Sequence, residues 1–89
     1  MPTVTLTPNL QRHVAVPPTA VPGSTVRDTL EAVFSRYPAL RGYVLDERGA
    51  VRFHVVIFVD GQQITDRGAQ SDPVGPDAEI YVMQALSGG

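Results

Sequence analysis

Glu79-Ile80-Tyr81-Val82-Met83-Gln84, running on into Ala85-Leu86-Ser87-Gly88-Gly89, is the stretch whose reading decides the fold. Its first six residues alternate, Ile80 and Val82 toward one face and Tyr81 and Met83 toward the other, which is the period of a β-strand. Met1 to Thr7 reads the same way, with Val4 and Leu6 set between Thr3, Thr5 and Thr7. These two strands lie at opposite ends of the chain, and neither has another long apolar partner. Pairing them, parallel and central, organises everything between.

One long helix lies in that interval. Thr25 is placed as its N-cap, with Asp28 three residues on completing a capping box. Val26, Leu30, Val33, Phe34 and Tyr37 form a single apolar stripe at helical spacing. Pro38 ends the helix, because the residue before a proline is pushed out of helical geometry. Leu40, Tyr43, Val44 and Leu45 tuck a short turn against the core, and Asp46-Glu47-Arg48-Gly49 is a polar turn.

Three further segments complete the sheet. Pro8-Asn9 signals a turn, after which Leu10 to Val16 returns as the second strand of a hairpin and Pro17-Pro18 stops it. Val51 to Val59 is apolar on both faces and reads as a strand near the middle of the sheet. Asp60-Gly61 is a tight-turn dipeptide, with Gln62 to Thr65 as a short return strand. Asp66 to Ala78, with two prolines and two glycines, reads as a long irregular loop. One helix on one face of a mixed sheet of four to five strands is a two-layer α+β fold in the β-grasp arrangement. The expected organisation is one domain over residues 1–86 and a flexible tail over 87–89.

Composition narrows the function classes. The chain has 89 residues, 43% hydrophobic, with a net charge of -2. That charge gives no reason to expect nucleic acid or an anionic membrane as partner. No apolar run reaches the ~20 residues of a membrane span, and the N-terminus lacks the pattern of a signal peptide, so a cytoplasmic location is expected. There is no cysteine, which removes disulfides, thiolate nucleophiles and thiol metal sites. Lysine is absent too, and all seven basic residues are arginine. His13 and His54 stand on different strands without Cys, Asp or Glu at ligand spacing, and read as surface histidines. No paired carboxylates and no phosphate loop are present. The chain is not expected to be an enzyme, to bind a metal or to hold a cofactor.

The chain resembles the MoaD/ThiS family of sulfur carriers, ubiquitin-like proteins with a β-grasp fold. The resemblance spans essentially the whole sequence. It rests on the helix after a proline-rich hairpin, Ile57-Phe58-Val59-Asp60-Gly61, Gly75-Pro76-Asp77-Ala78-Glu79-Ile80 ahead of the last strand, and the terminal Gly88-Gly89. Pro8-Asn9-Leu10-Gln11-Arg12-His13 and the length are similar to the carriers of the actinobacterial cysteine pathway. Many members have Asp where Ala78 stands, and a Pro near Gln84-Ala85.

The resemblance implies a mechanism carried out by partners. An E1-like enzyme using ATP and magnesium adenylates the C-terminal carboxylate, here that of Gly89. A sulfur donor turns the acyl-adenylate into a thiocarboxylate, and a biosynthetic enzyme accepts the sulfur, with cysteine and molybdopterin synthesis favoured. The carrier is expected to be a monomer that enters transient heterocomplexes. Glycine has no Cβ, so Gly88 and Gly89 can thread a narrow channel, with Leu86 and Ser87 as an extended lead. If Val55, Ile57 and Val59 suit the core, strand pairing gathers Val56, Phe58, Tyr81 and Met83 into an exposed apolar patch for partner docking. Swapping the facing of that strand would turn Phe53 outward in place of Phe58. The patch could instead lie under the loop Asp66 to Ala78 or in a dimer contact. Two other readings stand beside the carrier: a ubiquitin-like modifier conjugated through Gly89, and a β-grasp binding module with an inert tail.

Overall fold

Strand alternation at the two ends of the chain produces the pairing the sequence implies. A computed structural model describes residues 1–84. Strand β1, Thr3–Leu6, buries Val4 and Leu6 and lies parallel to β5, Glu79–Gln84, in a register that sets Thr3 beside Glu79 and Leu6 beside Val82. On the other side of β5, strand β3, Val55–Val59, runs antiparallel, from Val55 opposite Gln84 to Val59 opposite Ile80. Two-residue edge strands close the sheet: β2, Thr19–Ala20, on β1, and β4, Gln62–Gln63, on β3. The order β2-β1-β5-β3-β4 makes a five-stranded mixed sheet with helices, a β-grasp fold.

The long helix forms where its cap and stripe place it, Val26–Arg36. The Thr25 hydroxyl accepts the Asp28 N–H at 3.2 Å, satisfying one of the unpaired donors of the first turn. Val26, Leu30, Val33 and Phe34 are buried against the sheet, and so is Thr29, whose hydroxyl donates to the Val26 carbonyl at 2.7 Å. Ahead of this helix Gly23 takes φ 151°, and a Cβ there would stand 2.8 Å from the Thr29 methyl. The chain comes too close to the helix at that point for any side chain. After Pro38 a 3-10 turn, Pro38–Leu40, leads into a short helix, Arg41–Val44. Leu40, Val44 and Leu45 join the core, while Tyr43 stays 40% exposed.

Four expectations change. Leu10 to Val16 is not a strand. Pro8 sits at the start of a short helix, Pro8–Gln11, where its missing N–H costs nothing. The Gln11 side chain then accepts from the Val16 N–H at 2.8 Å and donates to the Val16 carbonyl at 2.7 Å, so a side chain occupies the groups a ladder would have used. Pro17-Pro18 therefore precedes the strand that pairs with β1 instead of ending one.

Second, the strand expected over Val51 to Val59 begins only at Val55. Val51 bridges to Leu45, and residues 52–55 turn, with Val55 N–H on the Arg52 carbonyl at 2.9 Å. Third, the strand read as near the middle lies one place off it, beside the central β5, and its outer neighbour is only the two-residue β4. Its two-sided apolar character reflects Val56 and Phe58 on the open face. Fourth, the return strand expected over Gln62 to Thr65 is limited to Gln62–Gln63, though the Ile64 N–H still reaches the Ile57 carbonyl at 3.0 Å.

Asp60-Gly61 makes the turn as expected. Both residues have positive φ, 50° and 85°, the mirror-image turn that matches the twist of a hairpin. The segment from Asp66 to Ala78 lacks regular structure but is tightly bonded. The Asp72 carboxylate accepts from the N–H groups of Thr65 and Asp66, and Asp66 accepts from those of Ala69 and Ser71. Gln70, fully buried with φ 53°, donates to the carbonyls of Gly49 and Arg67 and accepts from Arg27. Backbone bonds from Val26 to Asp72 and from Arg27 to Gln70 tie this loop to the helix.

Candidate functional site

The described part of the central strand runs to Gln84. Leu86, Ser87, Gly88 and Gly89, the residues singled out for activation, lie outside the described residues. What can be located is the open face of the sheet that carries β5.

That surface is built by alternation on two neighbouring strands. Ile80 and Val82 are fully buried under the helix, as are Val55 and Ile57. Their neighbours necessarily point the other way. The register sets Val56 opposite Met83 and Phe58 opposite Tyr81. Directly opposed residues in an antiparallel pair hold their Cβ atoms ~5 Å apart on the same face. All four sequence-selected residues are therefore brought together. Tyr81 is 43% exposed, and Val56, Phe58 and Met83 are half-buried. Thr5 flanks Tyr81 on β1, and Gln63 flanks Phe58 on β4. The loop Asp66 to Ala78 bonds to the first turn of the helix, on the opposite side of the sheet, and leaves Tyr81 in solvent.

The swapped facing of β3 does not occur, yet Phe53 is outward as well, at 94% exposure. It precedes the strand and is not bound by the strand's alternation. This residue was legible only as an alternative to Phe58; the structure exposes Phe53 and leaves Phe58 half-buried.

The ionisable groups explain loops, not catalysis. Asp46 is held below the usual carboxylate range by the N–H groups of Ala50 and Arg48, with Arg52 and Arg48 adding positive charge nearby. Asp66 is lowered by the Ser71 hydroxyl and by the N–H groups of Ala69 and Ser71. Asp72 is lowered by the Thr65 and Asp66 N–H groups. Each carboxylate caps a turn that the sequence showed only as polar. His13 stacks on Tyr43 at 5.0 Å between ring centres, and His54 meets the edge of Phe53 at 5.2 Å. Among the described residues no three His, Cys, Asp or Glu side chains group to hold a metal ion. No helix there is long and apolar enough to cross a membrane.

No protein-family model and no curated protein sequence matches the chain. Solved structures do. A chain of the Amycolatopsis orientalis BexX/CysO complex aligns over 100% of both chains with a TM-score of 0.84 at 19% identity. Mycobacterium tuberculosis CysO, described as an antigen, aligns over 97% of this chain and 100% of its own, with a TM-score of 0.82 at 16% identity. Small archaeal modifier protein 1 from Methanosarcina acetivorans aligns over 99% and 95%, with a TM-score of 0.79 at 24% identity. At these identities the likeness is one of fold, the ubiquitin-like β-grasp, over the full length of each chain.

Proposed function

We propose that this chain is a sulfur carrier whose chemistry takes place on the Gly89 carboxylate in the active sites of other proteins. The observation that carries the reading is the path of β5. The strand at the centre of the sheet, anchored by fully buried Ile80 and Val82, is followed in the sequence by Ala85-Leu86-Ser87-Gly88-Gly89. A rigid root followed by a side-chain-free end suits a carboxylate that must enter a partner. The resemblance to MoaD/ThiS carriers and the shared fold support the same reading.

The proposed reaction has two steps. In the active site of an E1-like enzyme holding ATP and magnesium, the Gly89 carboxylate attacks the α-phosphorus and releases pyrophosphate. The resulting acyl-adenylate has the leaving group a carboxylate lacks; a sulfur donor at the sulfide level displaces AMP and leaves a thiocarboxylate. The partner supplies positioning and charge stabilisation. The sulfur then passes to a biosynthetic enzyme, in cysteine or molybdopterin synthesis, in the cytoplasm. Val56, Phe58, Tyr81 and Met83 form the proposed docking patch, and the chain works as a monomer in transient complexes.

Intact mass after incubation with an E1-like enzyme, ATP, magnesium and sulfide tests this. A gain of about 16 Da at Gly89, sulfur for oxygen, is expected. No gain with an enzyme active on another carrier would overturn the reading. A second reading is favoured by the modifier proteins that share the fold. There Gly89 ends in an amide bond to a target lysine, and conjugates appear in place of the mass gain.

A further inference from the structure

Phe53 is 94% exposed, more than any other large hydrophobic side chain among the described residues. Isolated apolar side chains on a surface are ordinary. This one is held on a fixed mount. The Arg52 N–H donates to the Val44 carbonyl at 3.0 Å, and the Arg52 carbonyl accepts from the Val55 N–H at 2.9 Å and from Arg67 Nη2 at 2.6 Å. Arg52 Nε donates to the Gly42 carbonyl at 2.7 Å. Four bonds thus fix the residue before Phe53, and among the described residues the one aromatic contact of the ring is the edge-on one with His54. None of its area serves the core.

Its position gives the exposure a consequence. Val55 opposes Gln84, so Phe53, two residues earlier, lies at the end of the sheet where the chain runs on into residues 85–89. Five residues span at most about 17 Å when extended. Any protein that closes on the Gly89 carboxylate must therefore come within that distance of Gln84, a reach that takes in Phe53. Val56 and Met83 form the next pair into the sheet from Val55 and Gln84. Aromatic side chains presented on rigid backbone lose little freedom on binding and concentrate interface energy.

We propose that Phe53 is the anchor by which the adenylating enzyme holds this chain, inserting into an apolar pocket beside the mouth of the channel that takes the tail. The proposal rests on the carrier reading and adds the residue that selects the partner. Phe53 makes no contact with the reacting atoms; it positions the tail through binding.

ATP–pyrophosphate exchange by an E1-like enzyme, measured against carrier concentration, tests it with wild type, Phe53→Ala, Phe53→Leu and a chain lacking Gly88 and Gly89. Phe53→Ala is expected to raise KM about tenfold with kcat within about twofold, and Phe53→Leu to recover most of the loss. Because the ring is in solvent, thermal melts of all variants should coincide. An unchanged KM for Phe53→Ala, with wild type active and the truncated chain inactive, overturns the anchor alone. A lowered kcat at constant KM overturns it too, since binding would not be what was lost. Wild type that is not activated, by an enzyme shown to activate another carrier, overturns both the carrier reading and the anchor.

Discussion

The two faces of β5 are made by the same six residues and do opposite things. Ile80 and Val82 are fully buried under the helix, whereas Tyr81 is 43% exposed and Met83 half-buried on the open face. One set holds the fold together; the other faces the open side of the sheet. Because side chains alternate strictly, neither set can change face without a slip that moves both. Stability and the proposed recognition are thus set one residue apart along the chain, and substitutions should separate them.

The largest effect lies past both faces. Deleting Gly88 and Gly89 should abolish the mass gain of the activated chain while leaving its melting temperature unchanged. On the buried face, Ile80→Ala should cost about 2–5 kcal/mol, close to the whole stability of a small domain. Circular dichroism at 25 °C would then show a largely unfolded population. A fully folded Ile80→Ala variant would break the comparison. On the open face, Tyr81→Ala should change chemical-denaturation stability by less than about 1 kcal/mol but weaken activation by the adenylating enzyme several-fold. Loss of stability as large as that of Ile80→Ala would show that the open face is structural.

Two smaller effects sharpen the contrast away from β5. Thr25→Ala removes the helix cap and should cost about 1 kcal/mol in denaturant titrations, with no effect on activation. Asp72→Asn concerns pH. The native carboxyl of Asp72 lies below the ordinary value of 3.8 because Thr65 and Asp66 donate to its ionised form. Its contribution is complete above that value and is lost as pH falls through the lower native one. The melting-temperature gap between wild type and Asp72→Asn should therefore be largest at pH 6 and narrow below pH 3.8. A gap that widens in acid would contradict the assignment.

Much of this could be read from local pattern. The cap at Thr25, the stripe Val26-Leu30-Val33-Phe34 and the stop at Pro38 act within a few residues of one another, and the helix forms at Val26–Arg36. The last strand matches the expected Glu79 to Gln84, and Asp60-Gly61 turns as that dipeptide should. Leu10 to Val16 misled because Leu10 and Val16 are both buried in either arrangement. The pattern could not show that the Gln11 side chain would take the Val16 backbone groups. The loop Asp66 to Ala78 looked irregular because carboxylate-to-backbone bonds and a buried glutamine leave no periodic trace.

Sequence by itself determined the helix, the alternation of the first and last strands and the glycine end, since each depends on residues close together in the chain. Tertiary structure alone decided the register of β5 with β1 and β3, the turn over residues 52–55 ahead of β3, and that Phe53 stands clear at the Gln84 end of the sheet. Those outcomes depend on pairing between segments far apart in sequence. They follow from which face the helix covers and which it leaves open, a choice that only the assembled sheet makes.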